Sequence, residues 1–192
     1  MNLGKNTVRG IVTAGALALA TALVPATTST AGELAQRPAA AAATTLVFDK
    51  NQQAPTNSRL LVYKGGKLQA SYRAGSGLGV KNPCVTNKGW IPNGNWKIRS
   101  KTRSHNGRVI KGYAVHLEDM WCSPARKTKR TEMFIHSEMN RDGSQGRIES
   151  RRWDGPRDYR SNGCVKLHPN DIKKMFNLLD RIGWPSHLRV IS

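Results

Sequence analysis

Cys164 lies in the run Ser161-Asn162-Gly163-Cys164-Val165-Lys166-Leu167. A glycine directly before a cysteine lets the backbone turn sharply and approach a substrate closely. The peptide N–H groups of Asn162, Gly163 and Cys164 can then converge on one oxygen, the arrangement that stabilises the oxyanion of acyl transfer. A thiol in this role must become a thiolate, which nearby cations or a histidine promote. Lys166 and His136 are the candidates. His136 ends the apolar strand Met133-Phe134-Ile135, and a histidine at an exposed strand end is well placed to serve as base for a thiol distant in sequence. A cysteine and a histidine also fit structural roles, so the pair alone does not decide the chemistry.

The elements that must position these residues are mostly strands. Leu46-Val47-Phe48 and Arg59 to Tyr63 read as strands, Lys64-Gly65-Gly66-Lys67 as a hairpin turn, and Leu68 to Arg73 as the returning strand. Ala74-Gly75-Ser76-Gly77 reads as a loop. Pro92-Asn93-Gly94 is a turn before the strand Asn95 to Ile98. Tyr113 to Leu117 alternates like a half-buried strand, Thr131 to His136 leads into the chemistry, and His187 to Ser192 closes the chain. One helix is predicted late. Pro169 takes its first position, and Ile172, Met175, Phe176, Leu179 and Ile182 share one face. Gly183 stops it. The fold class is therefore mainly β with one late α-helix.

Three segments together resemble a known pattern. Phe134-Ile135-His136-Ser137, the Cys164 run, and the helix start Pro169-Asn170-Asp171 resemble the L,D-transpeptidases of the YkuD-like family. That family's signature is a His followed by Gly or Ser, then Ser/Thr-x-Gly-Cys, an aliphatic residue, and Arg or Asn. Upstream, Gly89 to Ile98 is similar to the family's turn-and-strand before the active site, and Leu46 to Gly77 to its opening strands. The likeness spans residues 45–192.

The resemblance implies a β-sandwich-like catalytic domain. Cys164 is expected to attack the carbonyl of an L-configured diamino-acid centre in a stem tetrapeptide, releasing D-Ala and forming a thioester. An amine from a neighbouring stem then resolves it into a 3→3 cross-link. His136 serves as general acid/base, Ser137 and Ser161 as positioning residues, and Lys166 as a substrate-binding cation. No metal or organic cofactor is implied. The spacing of His136, Cys164 and His168 also lacks the close pairs of structural zinc sites. With Cys164 as nucleophile, Cys84 and Cys122 remain as a pair whose bridge contributes roughly 4 kcal/mol. Two separate thiols, or a bridge to Cys164 that silences it, are the alternatives.

The chain also departs from the pattern. The position before Gly163, often His in the family, is Asn162, which cannot carry charge. Lys166 replaces Arg or Asn, giving a point charge where a planar fork is usual. Between His136 and Cys164 lie 27 residues, about ten more than the commoner form of the family. They include Arg141, Arg147, Arg151, Arg152, Arg157 and Arg160 and read as an extended loop over the site. An L,D-carboxypeptidase, with water resolving the thioester, uses the same Cys-His pair. A wall-binding protein with weak or lost catalysis fits the missing imidazole.

Partner and compartment follow from charge and the leader. Lys and Arg outnumber Asp and Glu by 31 to 12 in 192 residues, a net +19, which implies an anionic partner. Lys5 and Arg9 precede an apolar run from Gly10 to Val24, then small residues at Val24-Pro25-Ala26 and Ser29-Thr30-Ala31. This reads as a secretory signal over residues 1–31, too short for a spanning helix. Its removal leaves +17. Residues 32–44, rich in Ala, Thr and Pro, form a flexible link to the domain at 45–192. The expected location is extracytoplasmic, at the cell wall. The expected partners are peptidoglycan stem peptides and anionic wall polymer, with no nucleic acid and no stable membrane span. The cluster Arg126, Lys127, Lys129 and Arg130 reads as a solvated face, and His105, His116 and His187 as surface or strand residues without partners.

Overall fold

A computed structural model describes residues 42–125 and 128–192. The expected leader over residues 1–31, most of the link that follows it, and Arg126 and Lys127 lie outside the described residues.

Strands β1 (Thr44–Asp49), β2 (Ser58–Lys64) and β3 (Lys67–Ser76) open the fold. β4 (Gly94–Asn106) and β5 (Lys111–Leu117) form the next hairpin. β6 (Met120–Trp121) pairs with β7 (Lys129–Arg130) as a separate two-stranded ribbon. β8 (Phe134–His136), β9 (Val165–Leu167), the helix α1 (Pro169–Ile182) and β10 (His187–Ile191) complete it. Eight strands close into a barrel in the order β1-β10-β4-β5-β8-β9-β3-β2. The mainly β class with one late helix is thus as expected, and closure leaves the main sheet without free edges.

The alternation of each strand explains the closure. Leu46 and Phe48, Leu60 and Val62, Val115 and Leu117, Val165 and Leu167, and Leu188 and Val190 turn inward to one core. The helix adds Ile172, Met175, Phe176 and Leu179 to the same cluster. Its ends obey local rules. His168 caps the start, its Nδ1 accepting from Asn170 N at 3.2 Å. Gly183 ends it at φ 93° and donates to the Leu179 carbonyl at 2.9 Å. The β2–β3 turn places Gly65 and Gly66 at φ 55° and 76°, as a tight hairpin of right-handed twist requires.

Several boundaries differ from the sequence reading. β3 runs through Ala74, Gly75 and Ser76, expected as loop, because these residues pair with Leu167, Lys166 and Val165 of β9. β4 extends over the polar stretch to Asn106, paired with β5. β8 is shorter than Thr131–His136, because Glu132 takes φ 53° and interrupts the extended backbone. Cys84 and Cys122 form a disulfide, joining the loop after β3 to the end of β6.

Candidate active site

Parallel pairing of β8 with β9 brings the two chemical segments together. Ile135 lies beside Val165 and His136 beside Lys166, although 27 residues separate His136 from Cys164. Ile135 and Val165 are fully buried in the barrel core. Side chains alternate along a strand, so Phe134, His136, Cys164 and Lys166 face the other way. Cys164 accordingly packs with Ala114 and Phe134 in a small cluster apart from the main core.

The loop carrying Cys164 is held by serines. Ser161 Oγ donates to the Cys164 carbonyl at 2.6 Å and accepts from Gly163 N and Gly77 N, each at 3.1 Å. Ser76 Oγ donates to the Gly163 carbonyl and accepts from Ile91 N, both at 2.8 Å. Two hydroxyls thus clamp the turn against the end of β3. Of the three N–H groups expected to converge on one oxygen, that of Gly163 is taken by Ser161. The backbone N–H groups of Phe134 and Cys164 are near enough to the sulphur to favour its anion.

Gly163 has φ 118°, and an added Cβ there lies 1.9 Å from a guanidinium nitrogen of Arg130. Both the conformation and the space exclude a side chain. Arg130, expected on a solvated face, is buried at 3% exposure. Its donors reach the carbonyls of Pro83 (2.5 Å), Gly89 (3.3 Å), Trp90 (3.3 Å) and Asn162 (3.2 Å). Sequence reasoning missed it because it stands in a basic run beside Lys129, which is exposed.

Cys164 is a free thiol, buried at 8% exposure, its Sγ 3.7 Å from the carbonyl of the strained residue Glu132. Burial pushes its pKa up to about 11, against the opposing pull of the Phe134 N–H, Arg130 and Lys166. His136, expected at an exposed strand end, is also buried, because the end of β8 is flanked by β5 and β9. Burial pushes its pKa down to about 3, with Lys166 adding to the effect and the Ser137 carbonyl opposing it. His136 Nδ1 lies 3.0 Å from that carbonyl. A carbonyl only accepts, so Nδ1 carries the proton and Nε2 keeps its lone pair. The resting pair is therefore a neutral thiol and a neutral imidazole.

Lys166 is buried, its ammonium held by the Glu138 carboxylate and by the Arg160 carbonyl at 2.9 Å. In this state it ties the long loop to β9, with its charge already paired. Ser137 Oγ is buried without a hydrogen-bond partner in the structure. Asn162 is exposed. The 138–160 loop folds back on the barrel. Tyr159 packs where Gly75 offers no side chain, an added Cβ there lying 2.3 Å from the Tyr159 carbonyl. Arg141, Arg147, Arg152, Arg157 and Arg160 remain exposed. His105 and His116, expected without partners, flank the Phe134 ring at 5.3 and 4.5 Å. Among the described residues no group of three or more His, Cys, Asp or Glu side chains is placed to hold a metal. An open groove of about 680 Å³ beside the disulfide is lined by Lys50, Trp90, Met120 and Cys122, not by Cys164 or His136.

The family model for the YkuD L,D-transpeptidase catalytic domain matches residues 43–183. Solved L,D-transpeptidases are similar in structure at low sequence identity. One from Mycobacterium smegmatis shares 17% identity over 78% of this chain and 59% of its own, with a TM-score of 0.41. One from Xylanimonas cellulosilytica shares 14% over 80% and 63%, at 0.42. An Enterococcus faecium L,D-transpeptidase variant shares 16% over 77% and 49%, at 0.43. The chain thus spans less than two thirds of the length of these proteins. No curated protein matches it in sequence. The family match runs through both the histidine strand and the cysteine loop, and the chain belongs to the L,D-transpeptidase catalytic-domain family.

Proposed function

We propose that this protein is a cysteine-dependent peptidoglycan L,D-transpeptidase that forms 3→3 cross-links. The observation that supports the reading is the β8–β9 register, which pairs His136 with Lys166, two residues after Cys164, so that strand alternation turns the three side chains the same way. Cys164 Sγ attacks the carbonyl of the L-configured centre of a stem tetrapeptide. Its proton passes to His136 Nε2, which the Ser137 carbonyl leaves unprotonated. The tetrahedral oxyanion collapses, His136 returns the proton to the departing D-Ala amine, and a thioester remains. An amine from a neighbouring stem attacks the thioester, loses a proton to His136, and Cys164 leaves as the thiol. Ser161 and Ser137 position the two reacting groups. Asn162, exposed in the cysteine loop, is the group proposed to help hold the developing oxyanion. Lys166 reaches a substrate carboxylate only by exchanging Glu138 for it.

Compartment and boundaries belong to the same proposal. Residues 1–31 act as a cleaved secretory signal and 32–44 as the link to the catalytic domain at 45–192, whose first strand also takes in Thr44. The Cys84–Cys122 disulfide fits an oxidising, extracytoplasmic location. Among the described residues no helix is long and apolar enough to cross a membrane. The net positive charge favours a surface of anionic wall polymer.

Product analysis tests this directly. The protein and its Cys164→Ala variant are incubated with disaccharide-tetrapeptide fragments and the products weighed by mass spectrometry. Cross-linked dimers lacking one D-Ala, seen with the unaltered protein alone, are expected. Tripeptides without dimers assign an L,D-carboxypeptidase, and no change in either sample leaves a wall-binding protein.

A further inference from the structure

The guanidinium of Arg130 is buried against the residue preceding Cys164 and is surrounded by carbonyls instead of carboxylates. Its four main-chain acceptors come from three separate places: Pro83 in the disulfide loop, Gly89 and Trp90 beyond it, and Asn162 in the cysteine loop. Carbonyls satisfy its N–H donors but leave its net charge uncompensated, and a buried uncompensated charge is costly. Among the described residues no carboxylate forms an ion pair with Arg130; the pairs found there use other cations. The strand pair β6–β7 carries Arg130, and the disulfide at the end of β6 fastens that ribbon to the loop whose carbonyls receive it. The guanidinium is thereby fixed in place.

We propose that Arg130 is the positioning residue that supplies the fixed counter-charge for Cys164, stabilising the thiolate as it forms, in a site where Asn162 offers no second imidazole. This rests on Cys164 being the nucleophile. Three observations support it. The guanidinium nitrogen occupies the space a Cβ of Gly163 would take, so the charge sits against the backbone directly before Cys164. A guanidinium stays protonated at any working pH, which neither His136 nor a buried lysine ensures. Burial lowers the pKa of Arg130, and the one ionisable group that opposes this is Cys164. The effect is reciprocal: Arg130 pulls the thiol down against the larger upward push of burial.

The test uses the full chain with its disulfide intact, so that Cys164 is the one free thiol among the described residues. Its alkylation rate by iodoacetamide is followed against pH for the unaltered protein, Arg130→Gln and Arg130→Lys, with melting curves to establish folding. The expected result for Arg130→Gln is a midpoint raised by about one pH unit and roughly tenfold slower alkylation near neutrality. Arg130→Lys should retain most of the unaltered behaviour. A folded Arg130→Gln protein with an unchanged midpoint overturns the proposal. If the glutamine variant does not fold, the lysine variant decides. A folded Arg130→Lys protein whose midpoint stays in place supports the charge role, and one whose midpoint rises by a unit or more overturns it. A Cys164 that resists alkylation at every pH in the unaltered protein contradicts the nucleophile reading itself, which separates the two failures.

Discussion

Cys164 and His136 are both neutral at rest, and that sets their pH behaviour. With burial pushing the thiol up to about 11 and the imidazole down to about 3, the competent thiol–imidazole pair persists across the working range. Single-turnover acylation of Cys164 should therefore vary little from about pH 5 to about pH 9. A step near pH 6.5 in stopped-flow rates contradicts this. The depressed His136 also links to stability. The unfolded state takes up a proton as pH falls below the imidazole's usual value, while the folded state does so only near pH 3. Stability is thus lost between those two values, at no more than about 1.4 kcal/mol per pH unit. Glu138, raised mainly by burial, acts in the opposite direction. The comparison that isolates His136 is urea unfolding of the unaltered protein and His136→Gln at pH 7 and pH 4, the variant losing less on acidification. Gly163→Ala should cost about 1–3 kcal/mol through backbone strain alone. Displacement of Arg130 adds to that, and the urea midpoint should fall accordingly.

The long loop and strand β9 meet through a buried ion pair. Removing one partner of such a pair strands the other charge, so Lys166→Met should destabilise the fold by about 3–5 kcal/mol. The double change Lys166→Met/Glu138→Leu should recover much of this. Chemical denaturation of the three variants checks it, and equal losses in the single and double variants contradict it. Elements differed in how legible they were. Helix α1 could be read from residue spacing because its apolar face, its proline start and its glycine stop are all local. Extension of β3 through Gly75 was not legible, because that pairing depends on β9, ninety residues away in the chain. Polar β4 looked like loop because one hairpin partner satisfies its backbone while its side chains stay in water. The Ser161-Asn162-Gly163-Cys164 run was legible residue by residue. Arg130 was not, since burial of one arginine in a basic cluster arises only when the disulfide ribbon folds onto the loop. The ion-paired state of Lys166 was equally hidden, because Glu138 gives no signal in sequence of where it points.

At the scale of the molecule, the sheet closes on itself, the proposed Cys164–His136 pair lies apart from its main core, and the disulfide fastens the ribbon that bears Arg130. Opening that disulfide frees a loop closed over 38 positions, and the double change Cys84→Ser/Cys122→Ser should cost roughly 4 kcal/mol. Calorimetry should show the melting temperature falling. The excess of exposed arginine on the 138–160 loop and the +17 that remains after loss of Lys5 and Arg9 from the +19 of the full chain predict salt-sensitive adsorption to anionic wall polymer. Co-sedimentation should weaken steeply as ionic strength rises, and salt-independent adsorption contradicts the electrostatic reading. The central claim is that Cys164 is the nucleophile and His136 its base. Intact-mass spectrometry after incubation with a carbapenem, followed by peptide mapping, tests it most directly. One drug equivalent on Cys164 is expected, with His136→Ala slowing its appearance by about 100-fold or more while the fold survives. An unchanged mass, or an adduct that forms equally fast without His136, contradicts the account.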